Sequence, residues 1–278
     1  MTDLAALIAN GPYPLVIPGA HDALSARMIA AAGFKACGIG GAGIAAAQLG
    51  LPDIGVQSFG EHRDAIRRVQ EATDLPLMVD GENGFGDAKA VTRTIRAFDA
   101  MGVGGVALED LVFPPRLGAP PAVIAPEDMT AKLAAALAAR RNPRMMIVAR
   151  TDAAYAVSPE EAIRRARLYV EAGADAVVAT GLADADGYRR LRDAVRAPIF
   201  AVVVPGTPWY APSQDELRAI GIEAVIYPVT VMLHMAAGIR RGLERIADGS
   251  GGLPDTFGFG DLAAAVGTAD WAAIDRNG

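Results

Sequence analysis

Asp80 and Glu82 stand two residues apart, where a short apolar run at 77–79 opens into a turn that contains Gly81, Gly84 and Gly86. Strand side chains repeat every second residue, so the two carboxylates can face the same way. Carboxylates at the end of a buried strand need their charge compensated. A hard divalent cation such as Mg²⁺ does this, because it takes oxygen ligands and keeps several waters. Taken alone, the stretch leaves a second reading equally open, a solvated turn whose acids point to water. The other units tip the balance. Asp53 sits in Leu51-Pro52-Asp53-Ile54-Gly55, Glu109 follows an apolar run at 105–108, and Arg150 follows one at 145–148. Acids from three neighbouring units with one arginine opposite suit Mg²⁺ holding an α-keto acid whose carboxylate a guanidinium clamps. Three nearby acids read as structural. Asp22 precedes an apolar-periodic helix and is placed as its N-cap. Asp110 points away from Glu109 if the strand continues. Asp152 pairs with Arg150 or caps a turn.

Eight short apolar runs have to position these groups, at 15–17, 36–39, 77–79, 105–108, 145–148, 176–179, 199–204 and 224–226. Helical patterns alternate with them, among others at 22–32, 88–101, 159–172 and 231–247. Gly33, Gly102, Gly173 and Gly221 each close a helical pattern just before a strand, the position where a left-handed residue ends a helix. Eight strand–helix units in a chain of this length predict an α/β fold, a (β/α)₈ TIM barrel over residues 1–247. A doubly wound open sheet would carry a glycine-rich fingerprint after its first strand, and Pro18-Gly19-Ala20-His21-Asp22 is not one. Barrel chemistry sits at the carboxyl ends of the strands, which is where the acids fall. The loop at 40–58 is longer than usual. Its glycines would let backbone N–H groups approach an anion, although a small-residue packing loop fits equally well. The tail, 248–278, is read as a helical extension whose apolar 262–266 stretch and Trp271 need burial on the barrel or on a neighbouring subunit.

A net charge of −6 without a basic run argues against nucleic acid or an anionic membrane as partner. The single cysteine, Cys37, excludes an internal disulfide and a multi-cysteine zinc site. No apolar stretch is long enough to span a bilayer and no signal-peptide pattern opens the chain, so the expected location is the cytoplasm.

Five segments together resemble the isocitrate lyase/phosphoenolpyruvate mutase superfamily. They are Pro18-Gly19-Ala20-His21-Asp22-Ala23-Leu24-Ser25-Ala26, Leu51-Pro52-Asp53-Ile54-Gly55, Val79-Asp80-Gly81-Glu82-Asn83-Gly84-Phe85-Gly86, Leu108-Glu109-Asp110 with Phe113-Pro114, and Ala149-Arg150-Thr151-Asp152-Ala153. The resemblance implies a barrel whose last helix is exchanged between subunits of a homotetramer, a dimer of dimers. By position, Asp80 resembles the direct Mg²⁺ ligand, with Mn²⁺ as an alternative ion. Glu82 and Glu109 resemble the acids that hold the metal's waters, with Asp53 close by as a further catalytic candidate. Arg150 resembles the arginine that binds the substrate carboxylate and stabilises an enolate. The backbone of Gly41, Ala42, Gly43 and Ile44 resembles the loop that cradles the substrate, and Arg116 lies in the gating segment. His21 and Tyr155 are the side-chain candidates for proton donor, beside solvent.

The departures guide the expected activity. Carbon–carbon lyases of the superfamily carry Lys-Lys-Cys-Gly-His after the fourth strand, where this chain has Pro114-Pro115-Arg116-Leu117-Gly118. The histidine that the mutases and phosphonopyruvate hydrolases carry near the sixth strand's end is replaced by Ala179-Thr180-Gly181. The oxaloacetate decarboxylases match best, although the histidine they carry after strand eight is replaced by Pro228-Val229-Thr230. Glu82 stands where an aspartate is usual. The expectation is a Mg²⁺-dependent lyase that acts on a small α-keto or 2-hydroxy carboxylate, with oxaloacetate decarboxylation as the leading reaction. Phosphorus–carbon chemistry, isocitrate-type cleavage without the cysteine, and a non-catalytic keto-acid-binding protein are the alternatives.

Overall fold

The computed structural model describes residues 3–11, 13–115, 118–249 and 257–277. Its eight strands are β1 (Leu15–Ala20), β2 (Cys37–Ile39), β3 (Leu77–Asp80), β4 (Gly105–Glu109), β5 (Met146–Thr151), β6 (Ala176–Ala179), β7 (Phe200–Val202) and β8 (Ala224–Tyr227). All pairings are parallel, in the order β6-β5-β4-β3-β2-β1-β8-β7. A bridge between Val177 and Ile199 brings β6 to β7 and returns the sheet on itself. The fold is the (β/α)₈ TIM barrel with a C-terminal helical segment. Two strands differ from their apolar runs. β7 is shorter than 199–204, as the chain turns away towards Gly206, and β5 continues past its apolar run so that Arg150 lies within the strand.

The alternation of strand side chains builds two cores. Inside the barrel, Ile17, Met78, Ala107, Met146, Val148, Val178 and Phe200 pack together. Between strands and helices lie Ile39, Val79, Val106, Leu108, Ile147 and Val177. Each of the larger side chains removed from water contributes about 1.5–3 kcal/mol. The helix Leu4–Asn10 inserts Leu4 and Ile8 into the inner core and so stops one end of the barrel. The open end is the one where the strands finish.

Helix punctuation follows the residue chemistry. Asp22 caps the helix Ala23–Ala31 by accepting from Ser25 N at 2.7 Å. Gly33, Gly102, Gly173 and Gly221 all adopt positive φ, between +74° and +100°, as their place after a helix predicts. The last barrel helix, Thr230–Ala247, buries none of its residues within the chain, leaving Ile239, Leu243 and Ile246 exposed. The C-terminal helices Phe259–Ala265 and Thr268–Asn277 likewise expose Phe259 and Trp271. No helix among the described residues is long and apolar enough to cross a membrane.

Candidate active site

Three adjacent strands aim their last inward residues at one point. Asp80 ends β3, Glu109 ends β4, and Arg150 lies beside Glu109 in the β4–β5 register. Glu82 joins them from the turn after β3. One carboxylate oxygen from each of Asp80, Glu82 and Glu109 lies within 4.8 Å of the others. Asp53 closes the group from the second loop and lines the same cavity as Asp80 and Arg150.

The turn that carries Glu82 is held from every side. Glu82 N donates to Asp80 Oδ1 at 2.9 Å, and Glu109 N donates to the Glu82 carbonyl at 2.9 Å. Lys132 Nζ donates to the Asn83 carbonyl at 2.8 Å, and the Thr94 hydroxyl to that of Gly84 at 3.2 Å. Glu82 and Phe85 are the non-glycine residues with positive φ among those described, at 51° and 61°. Such a conformation costs on the order of 1 kcal/mol and persists where the surroundings fix it. A side chain on Gly41 would coincide with Glu82 Oε1. The bare backbone at Gly41 is thus what gives the longer acid its room.

Below the turn, His62 is fully buried on the inner face of the helix Phe59–Ala72. Its Nε2 donates to the Asp80 carbonyl at 2.7 Å, and its Nδ1 accepts from Gln57 Nε2 at 3.2 Å. Burial lowers its pKa, so the ring stays neutral in that tautomer and fixes the end of β3. Reading along the chain passes over this residue, although its place among Ala65, Ile66 and Val69 on one helix face marks it as inward.

Charge does not balance here. Arg150 Nη1 lies 3.0 Å from Glu109 Oε2 and 3.5 Å from Asp80 Oδ2, while Nη2 donates to Asp152 Oδ1 at 2.9 Å. One guanidinium therefore answers Asp53, Asp80, Glu82, Glu109 and Asp152. Burial, with Asp80 and Glu109 beside it, pushes the Glu82 carboxyl well above the usual carboxylate range. Burial also lifts Glu109 to about 8 against the pull of Arg150, and raises Asp53. These are oxygen donors crowded together with too little positive charge, the set a divalent cation fits.

Asp110, next to Glu109 on the chain, faces the other way. It is fully buried and accepts from Thr151 Oγ1 at 2.8 Å, Asp152 N at 3.0 Å, Arg165 Nη1 at 3.1 Å and Tyr169 Oη at 2.8 Å. It is structural, as its parity predicts, and it pins the backbone of Asp152 behind Arg150.

The cavity at the barrel mouth has a volume of about 250 Å³ and two unlike halves. Towards β2–β5 it is lined by Gly40, Gly41, Ala42, Gly43, Asp53, Asp80 and Arg150, and towards β6–β8 by Val178, Thr180, Val202, Val204, Trp209 and Ile226. Gly41, Ala42 and Gly43 thus reach the cavity, whereas Ile44 is buried in the outer core. Instead of an open loop, Gly41–Ile44 forms a helical turn continued by the π-helical Ala45–Leu49. Arg116 lies outside the described residues. His21 Nε2 meets Met235 Sδ at 3.1 Å, away from the lining, and Tyr155 lies beside Asp152, its hydroxyl kept protonated chiefly by burial. Neither lines the cavity. Cys37 is buried in β2 with its thiol pushed up to about 12 by burial, which makes it inert.

Residues 4–247 match the phosphoenolpyruvate phosphomutase family. A 2-methylisocitrate lyase of Shewanella oneidensis is 39% identical over 218 residues, 78% of this chain and 75% of that protein. Among solved structures, oxaloacetate acetylhydrolase in complex with the inhibitor 3,3-difluorooxalacetate superposes with a TM-score of 0.92 at 28% identity, covering 99% of this chain and 95% of that one. A phosphonopyruvate hydrolase in complex with oxalate and Mg²⁺ superposes with a TM-score of 0.85 at 25% identity, covering 98% and 96%.

Proposed function

The chain belongs to the phosphoenolpyruvate phosphomutase family of the isocitrate lyase/phosphoenolpyruvate mutase superfamily, and from that premise we propose a divalent-cation-dependent lyase that decarboxylates an oxaloacetate-type α-keto acid through its enolate. The observation that carries this reading is the division of the cavity. Its acidic half suits a chelating α-keto carboxylate, while its β6–β8 half holds no cationic side chain among the described residues. A carboxylate placed on that side finds little to stabilise its charge, and losing it as neutral CO₂ relieves the mismatch.

Asp80, Glu82 and Glu109 would hold the ion, Mg²⁺ by family, with Asp53 supporting them. Bound there, it supplies Lewis-acid polarisation of the keto oxygen. Arg150, its other edge fixed by Asp152, presents Nη1 to the substrate carboxylate and to the charge that develops on O2. The C3–C4 bond breaks, its electron pair forms the C2–C3 double bond of the enolate, and CO₂ departs. C3 then takes a proton from water, so one proton is consumed overall. A preorganised donor such as Arg150 lowers the barrier by about 3–4 kcal/mol.

The likeness to a 2-methylisocitrate lyase favours a second reading, cleavage that releases a larger carbon fragment. That reaction needs an acid for the departing carbon, and Cys37 is not available for it. Phosphorus–carbon chemistry would put a phosphonate against the same uncharged wall. We assign residues 1–247 to the catalytic barrel, and the exposed faces of Thr230–Ala247 and the 248–278 extension to packing between copies in a dimer of dimers. Oxaloacetate, 2-methylisocitrate and phosphonopyruvate assayed side by side with Mg²⁺ test the reading. Pyruvate and CO₂ from oxaloacetate are expected. Turnover of either other substrate with none of oxaloacetate overturns it, and full activity of Asp80→Ala would remove the metal site.

A further inference from the structure

The β6–β8 half of the cavity is more than an absence of charge. Val178, Val202 and Ile226 form its floor on three neighbouring strands, with Val202 and Ile226 paired in register. Above them stand Val204 and Trp209, the latter stacked on Tyr155 at 5.5 Å and 29°. Tyr155 is seated against Gly181, so closely that a Cβ there would meet its ring. The wall is thus a mainly apolar surface whose floor is rooted in the inner barrel core. Its polar side-chain groups among the described residues are the Trp209 indole N–H and the Thr180 hydroxyl, the latter buried and without a hydrogen-bond partner.

A four-carbon keto diacid has nothing to lay on such a surface except one methylene and the carboxylate it loses. We propose that the substrate carries an alkyl group on C3, so that the enzyme acts on 3-alkyl-substituted oxaloacetates in preference to oxaloacetate itself. The alkyl group packs on Val202, Ile226 and Trp209, and the Thr180 hydroxyl is left to orient the departing carboxylate. A charged tail in this half would lose its water for no more than neutral partners, the Thr180 hydroxyl and the Trp209 indole N–H. The chemistry is otherwise that of the decarboxylase reading, on which this inference rests for what leaves but not for what binds. The C3–C4 bond breaks, CO₂ departs, C3 takes one proton from water, and 3-methyloxaloacetate would yield 2-oxobutanoate.

Titration calorimetry of the full chain with Mg²⁺ tests the subsite without turnover. The ligands are pyruvate, 2-oxobutanoate, 2-oxopentanoate and the charged 2-oxoglutarate. Each methylene buried on the wall should tighten binding about fourfold, so 2-oxopentanoate should bind about fifteenfold tighter than pyruvate. In Trp209→Ala the ratio should fall by about fourfold or more; should that variant not fold, the wild-type series decides alone. A flat series, or 2-oxoglutarate binding tightest, overturns the proposal. Comparing 3-methyloxaloacetate with oxaloacetate as substrates then separates the two claims. A steep binding series with no CO₂ from either substrate sinks the decarboxylase reading and leaves the apolar subsite standing. A flat series with brisk oxaloacetate decarboxylation does the reverse.

Discussion

Glu109 and Asp110 are consecutive, both nearly inaccessible, and opposite in kind. Asp110 faces outward into a network in which Arg165, Tyr169, Thr151 and a backbone amide meet its oxygens. Glu109 faces inward among four other carboxylates that share a single arginine. Burial of a charge is costly in both places, yet Asp110 is met by a cation and three further donors, whereas Glu109 shares its one guanidinium with the other acids. A buried acid with its partners supplied holds a structure together. A buried acid without them is waiting for something to bind.

Substitutions on the two sides of β4 should part stability from activity. The largest effect expected is on stability, from Asp110→Ala. It takes from Arg165 one of its two carboxylate partners, leaves the Tyr169 and Thr151 hydroxyls and the Asp152 amide without their acceptor, and should cost about 3–5 kcal/mol, read from the denaturation midpoint. Arg150→Ala should act on the other axis, lowering kcat by about 10²–10³-fold, or roughly 3–4 kcal/mol. If Asp110→Ala unfolds no more easily than wild type, the contrast between the clusters fails. Next in size is the ion. At about a hundred times its dissociation constant, Mg²⁺ should raise the unfolding free energy by about 2.7 kcal/mol, and this gain should vanish in Asp80→Ala.

The last expected effect is on pH. Burial raises the folded-state pKa of Glu109 to about 8 and moves Glu82 upward too. Between the ordinary carboxylate value and those values the folded chain binds more protons than the unfolded one. The metal-free protein should therefore be most stable on the acid side and lose stability as pH rises through about 8. Asp53, Asp80, Asp152 and Arg150 face these groups, and saturating Mg²⁺ should flatten the slope. A stability that climbs over that range without metal would mean that the inward acids are already compensated.

Much of the inward cluster was legible along the chain, because strand parity and a barrel's polarity are local rules. They place Asp80, Glu109 and Arg150 at one end and turn Asp110 away. Asp22 as a helix cap and the four left-handed glycines follow from equally local chemistry. What parity cannot reach is contact between distant segments. His62 under Asp80, Lys132 across the Asn83 carbonyl and the valine–tryptophan wall are built by closure of the barrel, and each member reads singly as ordinary core or surface. Ile44 shows the converse. It lies in a stretch that meets the cavity, yet its side chain belongs to the packing beneath.

Gly41 and Glu82 stand 41 positions apart and fill one volume between them. A methyl group at position 41 is incompatible with the glutamate in its present rotamer, whereas an aspartate, one methylene shorter, would not extend as far. The constraint runs one way: the glutamate needs the glycine, whereas the glycine leaves position 82 free. Barrels of this kind with glutamate at the turn should therefore carry glycine in the facing loop, and a side chain at position 41 would require the acid to point elsewhere.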